Sequence, residues 1–278
     1  MIVLKKLILI LICFLLFSCQ SKEEQHIPIS KNPAEKSVSI ERQEEIIDEY
    51  LHNCAAKQPL YSVERQECLD RGLAKDSTIA YLWQQKAMPL FKQRKYEVGM
   101  KYIDEAVKYN PERWQPYRAF IKCIFAKTYQ EAIEDFQACI ASYGNSYVMD
   151  HTYKFHIGLS YLQLNKFEAA QKIFEEDMEE QIAEWGENGL HHLDLFYYGI
   201  SKYEQGKFEE AIEEFDKALK LYPKFSDVEY YKAISLYRLG REEEALLIMD
   251  SARENGLAGN TINEDNVIYE SYPYQVRW

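Results

Sequence analysis

Histidines and carboxylates are the side chains here best suited to metal or proton chemistry, and their spacing decides what they can do. His151 and His156 fall in one predicted helix, and His191-His192 open the first helix of the next unit, so the four could meet across neighbouring elements. No acidic residue stands at a metal-like distance from them in sequence, so they read as structural or exposed, with no metal ligand expected. Runs such as Glu175-Glu176-Asp177 and Glu242-Glu243-Glu244 read as solvated helix faces. No nucleophile elbow, phosphate loop or zinc-protease pattern occurs. No catalytic residue and no cofactor are expected, and the chain reads as a binding protein.

The N-terminal segment carries a different chemistry. Lys5 and Lys6 precede the apolar run Leu7 to Phe17, which ends in Ser18-Cys19 and gives way to Gln20-Ser21-Lys22-Glu23-Glu24. That run is too short for a permanent bilayer span and has the layout of a secretory signal. A signal stopping at a cysteine resembles a bacterial lipoprotein box, with Phe17 departing from the smaller residue usual there. The resemblance implies cleavage before Cys19, with the lipid (diacylglycerol and palmitate) carried on Cys19. It further implies an anchor in the outer membrane, facing the periplasm or the cell surface. The polar-acidic run after Cys19 resembles the surface-export tag of lipoproteins from Bacteroidetes-type bacteria. An ordinary secretory signal with a chance cysteine is the plainer alternative.

The formal charge of −12 becomes −14 once the two leader lysines are set aside, which disfavours nucleic acid and anionic membrane surfaces as partners. With 47% hydrophobic residues the chain can build a full core, and 22 tyrosines give many side chains an apolar body with a polar tip. Cys13 leaves with the signal. Cys54, Cys68, Cys123 and Cys139 would then stand in an oxidising space as candidate pairs Cys54–Cys68 and Cys123–Cys139, or as four buried thiols. None has zinc-site spacing. Residues 19–38, with Pro28, Pro33 and little apolar content, read as a flexible tether reaching at most ~60 Å, and ~25 Å as a coil.

What must position any binding residues is a repeat. Small residues recur at Gly99, Ala132, Ala170, Ala211 and Ala245, the last interval being 34 residues. Three residues earlier stand Tyr96, Tyr129, Phe167 and Phe208, with Glu242 breaking the series. Four residues later stand Ile103, Phe136, Phe174, Phe215 and Met249; seven later, Ala106, Cys139, Asp177, Ala218 and Ala252. Twelve earlier another small residue recurs as Ala87, Gly158, Gly199 and Ala233. Spacings of four and seven trace one helix face, so each unit is a helical hairpin whose small residues let the second helix approach. Gly206 and Gly240 supply turns, Pro111 and Pro223 stop helices, and Ser226 with Glu229 reads as a capping box.

These units resemble the tetratricopeptide repeat family, clearest from Tyr198-Gly199 through Ala211 and Phe215 to Pro223, and from Trp83 through Ala106 to Pro111. The resemblance implies an all-α superhelix (α-solenoid) of five to six hairpins over residues 39–256, with a degenerate first unit near 40–74. The segment Glu179 to His191 lengthens one interval and is expected to extend a second helix before a loop.

In that family the first helices line a concave groove for extended peptides or partner helices. Transferred unit by unit, the groove would comprise Tyr81, Met88, Phe91, Arg118, Lys122, Phe125, Phe155, Leu159, Phe196, Tyr203, Tyr230 and Tyr237. Met88 stands where the family's carboxylate clamp has asparagine, so that clamp is not reproduced. An aromatic groove suits a hydrophobic protein segment oriented by tyrosine hydroxyls, while about half of these positions would be inter-repeat core on packing grounds. The tail 257–278 reads as extended: Tyr272, Tyr274, Val276 and Trp278 alternate as in a strand, and Pro273 disfavours helix. It is expected to pack on the last hairpin or fold back into the groove, since solenoid ends need covering. The leading functional reading is a lipid-anchored scaffold binding a protein partner in envelope assembly or maintenance. An immunity or accessory protein for a secreted toxin is the second reading, and a cell-wall enzyme the third.

Overall fold

The computed structural model describes residues 33–278; the leader, Cys19 and the start of the tether lie outside the described residues. Contacts divide the chain into Met1–Arg42 and Gln43–Trp278. The described part of the first unit is the opening of helix α1 (Pro33–Ile47). The tether expected to reach residue 38 therefore gives way to helix at Pro33, a residue whose fixed φ suits the first helical position.

The second unit takes up α1 at Gln43 and continues through a π-helical turn (Asp48–His52) and a 3₁₀ turn (Ala55–Lys57) into α2 (Val63–Lys75). Five hairpins follow: α3 (Ala80–Lys92) with α4 (Tyr96–Tyr109), α5 (Pro111–Phe120) with α6 (Tyr129–Tyr143), α7 (Tyr153–Gln163) with α8 (Phe167–Trp185), α9 (His192–Glu204) with α10 (Phe208–Leu221), and α11 (Ser226–Arg238) with α12 (Glu242–Leu257). Each helix packs on the next, giving the expected all-α superhelix of helical hairpins. No helix among the described residues is long and apolar enough to cross a membrane.

The repeat pattern is the packing. Ala211, Phe215 and Ala218 form one fully buried stripe on α10, as Ala132, Phe136 and Cys139 do on α6. The Phe215 ring lies against Gly199 of α9, where a Cβ would stand 2.6 Å from Cε1, so only glycine lets these helices come so close. Burying such a ring contributes about 2–3 kcal/mol. Every hairpin turn needs one left-handed residue: Gly206 and Gly240 in the last two hairpins, but Arg94, Lys127 and Asn165 in the first three. A non-glycine residue there costs roughly 1 kcal/mol.

Cys54 and Cys68 are joined by a disulfide across the first hairpin. Closing a loop of 14 residues removes about 3 kcal/mol of unfolded-chain entropy in the simplest account. The second candidate pair does not form: Cys123 and Cys139 are free and buried. Cys123 faces α7, where Ser160 Oγ donates to its sulfur at 3.4 Å, and burial pushes its thiol up to about 12.

Three local expectations are corrected. His151 lies in a two-residue strand (His151–Thr152) paired antiparallel with Tyr147–Val148, because Thr152 caps α7 by accepting from Phe155 N at 3.0 Å. The cap before α11 is Phe225, with no side-chain cap bond; Glu229 instead accepts from Ser251 and Asn255 of α12, both at 2.8 Å. The tail residues 258–278 form no strand. They contain a 3₁₀ turn (Asp265–Ile268) and a reversal at Tyr272–Gln275, where Pro273 is followed by Tyr274 at φ 58°, as in a type II turn. The segment Glu179 to His191 does extend α8 to Trp185 before a 3₁₀ turn (Glu187–Gly189).

Candidate partner groove and the tail that lies in it

The twelve positions transferred to the groove divide by environment. Phe91, Phe125, Phe155, Leu159 and Phe196 are buried core. Phe155 is ringed by Phe174, Tyr197, His151 and His156, and Phe196 by Phe215, Phe225 and Tyr231. First helices in a solenoid touch both their own second helix and the next hairpin, so little of their surface is left to face a groove. Tyr81 stacks on Trp114.

Arg118 and Lys122 are engaged within their own hairpin. They lie one turn apart on α5 and its continuation and converge on the buried Asp135 of α6, at 2.8 and 2.6 Å from Arg118 and 2.9 Å from Lys122. Burial alone would raise the Asp135 carboxyl, but these cations hold it below its ordinary value. Arg118 also pairs with Asp104 of α4 at 2.8 Å. Removing either cation would leave a buried carboxylate short of partners.

The rest of this face meets the tail. Asp227 of α11, fully buried, accepts from Ile262 N at 3.1 Å and Val276 N at 2.7 Å, pinning two tail positions with one carboxylate. Burial pushes its carboxyl up to about 6 despite those bonds. Tyr197 Oη of α9 donates to Pro273 O at 2.9 Å. His151 Nε2 lies 3.2 Å from Glu264. Arg94 Nη2 donates to Tyr269 O at 2.9 Å, and Tyr96 donates to the Glu270 carboxylate, which Arg94 and Lys127 also contact at 3.2 and 3.5 Å. Tyr274 packs on Tyr231, Trp278 on Tyr230 and over Gly256. The tail thus runs from α12 along the first-helix side to the α3–α4 turn and back. Of the predicted positions, Tyr81, Met88, Arg118, Lys122, Tyr203, Tyr230 and Tyr237 keep exposed or partly exposed surface, Tyr237 most of all at 61%.

Asp227, Tyr197, Arg94 and Tyr96 were not singled out from sequence as groove residues. Their partners lie 35 to 175 residues away, and no periodicity reports such pairs.

The histidines do come together: His151 and His191 rings lie 5.3 Å apart, His191 and His192 3.9 Å. Among the described residues no group of three metal-ligating side chains is arranged around a metal position. Their consequence is pH dependence. Burial, then repulsion from a neighbouring imidazole, lowers His156 to about 3 and His192 to about 4, so both are neutral when folded at pH 7. The unfolded chain takes up these protons near pH 6.5, so their contribution is full above that and is lost as pH falls towards 4. Burial acts oppositely on Asp194 and Asp227, each raised to about 6, whose folded forms gain stability on acidification. His156→Asn keeps a donor for Thr152 O, which His156 Nδ1 meets at 2.9 Å, and removes the titration. Melting temperature plotted from pH 6.5 to 4 should fall less steeply for that variant than for the native chain.

Residues 151–176 and 199–256 match family models described as Tetratricopeptide repeat. Among solved structures, a tetratricopeptide repeat protein from Parabacteroides merdae ATCC 43184 is 16% identical with a TM-score of 0.58, over 84% of this chain and 81% of that one. PilW, a type IV pilus biogenesis factor, is 12% identical at 0.57, over 79% and 94%. YrrB, described as a TPR protein with an unusual peptide-binding site, is 16% identical at 0.50, over 67% and 91%. No curated protein is significantly similar. At these identities the likeness concerns the fold, a solenoid of helical hairpins, within which residues 151–176 and 199–256 are the stretches matched as tetratricopeptide repeats.

Proposed function

We propose that this protein is a non-catalytic interaction scaffold, held at the outer membrane by a lipid on Cys19, that seats an extended segment of a partner protein along its first helices. One observation carries the reading: side chains of that face already hold a non-helical segment, the chain's own tail, through its backbone. Asp227, Tyr197 and Arg94 bond to the main chain at Ile262, Val276, Pro273 and Tyr269. Such bonds do not depend on the guest's side chains, so a face that takes one non-helical segment suits others. The peptide-binding site named for YrrB supports the same use of the fold. The Cys54–Cys68 disulfide supports an oxidising compartment outside the cytoplasm, in keeping with the leader.

Two measurements test this. Cys19→Ala should move the protein from the membrane fraction to the soluble fraction. A photoreactive residue at Tyr203 or Tyr230 should crosslink one protein species in intact cells, while the same residue at Leu246, exposed on α12, should not. Equal crosslinking from both sides, or a Cys19→Ala variant that stays with the membrane, counts against the reading.

A further inference from the structure

We propose that the α3–α5 end of the groove is a subsite for a partner segment carrying a bulky apolar side chain beside a side-chain carboxylate, and that Ile268-Tyr269-Glu270 of the tail is its resident stand-in. This rests on the reading of the groove as a seat for an extended segment.

The polar half of the subsite is built and filled. Glu270 is nearly buried, bonded by Tyr96 and flanked by Arg94 and Lys127, while Lys92 Nζ lies 4.8 Å above the Tyr269 ring. In a chain of net charge −12, three cations converge here on one carboxylate and its neighbouring ring. Their placement is costly. Arg94 and Lys127 occupy the left-handed turn position, at φ 61° and 60°, that Gly206 and Gly240 fill in later hairpins. Folding alone would favour glycine at both. A cation held there against that preference, twice, and aimed at the same carboxylate, points to ligand recognition.

The apolar half is built and left open. Beside the Glu270 seat is a cavity of about 400 Å³ floored by Met88, Phe91, Tyr117, Phe120, Ile121 and Phe125. The α5 helix widens into a π-helical turn (Ile121–Ala126) at this place, a distortion frequent at functional sites. The tail borders the cavity with Asp265, Asn266, Ile268 and Tyr269, and Lys92 lines its rim, but the tail does not fill it, and Ile268 is 79% exposed. A second copy of this chain would bring the same Ile268-Tyr269-Glu270 and leave the cavity equally open. A partner segment supplying both a large apolar side chain and a carboxylate makes contacts the tail does not, and so can displace it.

The test uses the full chain with Glu270→Gln, which weakens the resident tail at this seat, and synthetic peptides spanning residues 263–274. Three peptides are compared: the native sequence, one with Ile268→Trp, and one with Ile268→Trp and Glu270→Gln. The Trp peptide is expected to bind about tenfold more tightly than the native one and to lose about tenfold when its glutamate becomes glutamine, each factor equal to about 1.4 kcal/mol. Adding Arg94→Gly and Lys127→Gly to the host should abolish the glutamate dependence without unfolding it, since glycine suits both turns. Hydrogen exchange at Tyr269 and Glu270 reports whether the resident tail has left. If peptides bind with no dependence on Trp or glutamate, the subsite falls and the groove reading stands. If the tail has left and no peptide binds, both fall. If Glu270→Gln leaves the tail fully protected, the cations are not what hold it, and the subsite falls.

Discussion

Replacing Asp227 with alanine is expected to free the tail while leaving the helical hairpins folded. One fully buried carboxylate accepts from Ile262 N and Val276 N, and so closes residues 262–276 into a loop against α11. Without it the buried Ile262 N–H loses its partner, at about 1–3 kcal/mol, and the part-buried Val276 N–H loses its own at a smaller cost. Among the remaining contacts are Tyr197 at Pro273, His151 at Glu264, Arg94, Tyr96 and Lys127 at Tyr269-Glu270, and the Tyr231 and Tyr230 rings at Tyr274 and Trp278. Chymotrypsin should then cut rapidly after Tyr269 and Tyr274, whereas the Tyr272–Pro273 bond resists it and the far-ultraviolet dichroism of the helices stays near its native value. Cleavage no faster than in the native chain would show that Asp227 does not anchor the tail.

Phe155→Ala is expected to destabilise the whole repeat domain by about 3–5 kcal/mol, as truncations of buried aromatic side chains do. Sequence register put Phe155 in the groove beside Tyr230, but the two positions differ in kind. Phe155 is fully buried among the Phe174, Tyr197 and His156 rings, while Tyr230 is only partly buried and its ring meets Trp278. Tyr230→Ala should cost about 1 kcal/mol or less in global stability. Urea unfolding of the two variants measures the contrast. A Phe155→Ala variant as stable as the native chain would return that residue to the groove surface.

The hairpins were legible because their packing is periodic. The stripes through Ala211, Phe215 and Ala218, and the close approach at Gly199, follow from a spacing that a helix turns into a face. The same periodicity could not divide the first helices between core and groove, since they are buried on two sides and an apolar position reads alike on either. The pairing of Arg118 and Lys122 was not legible for a related reason: their partner Asp135 lies on the next helix, inside the hairpin, and register alone does not tell which side a cation turns to. The tail was legible as a non-helical segment but not in its path. Pro273 forecast a break, yet the contacts that fix it, such as Arg94 to Tyr269 across 175 residues, are matched one side chain at a time. The left-handed turn shows the limit most plainly. Gly206 and Gly240 announce it and Asn165 is compatible with it, whereas Arg94 and Lys127 adopt it with no signal in their own identity.

On the proposed reading, the first-helix face of this solenoid is a seat for a non-helical segment, occupied by residues 258–278. Amide hydrogen exchange of the native full-length chain tests it most directly. Strong protection is expected at Ile262 and Val276, whose amides are held by Asp227, and little at exposed Asn263. Exchange of Ile262 and Val276 at the rate of an unstructured peptide would contradict it.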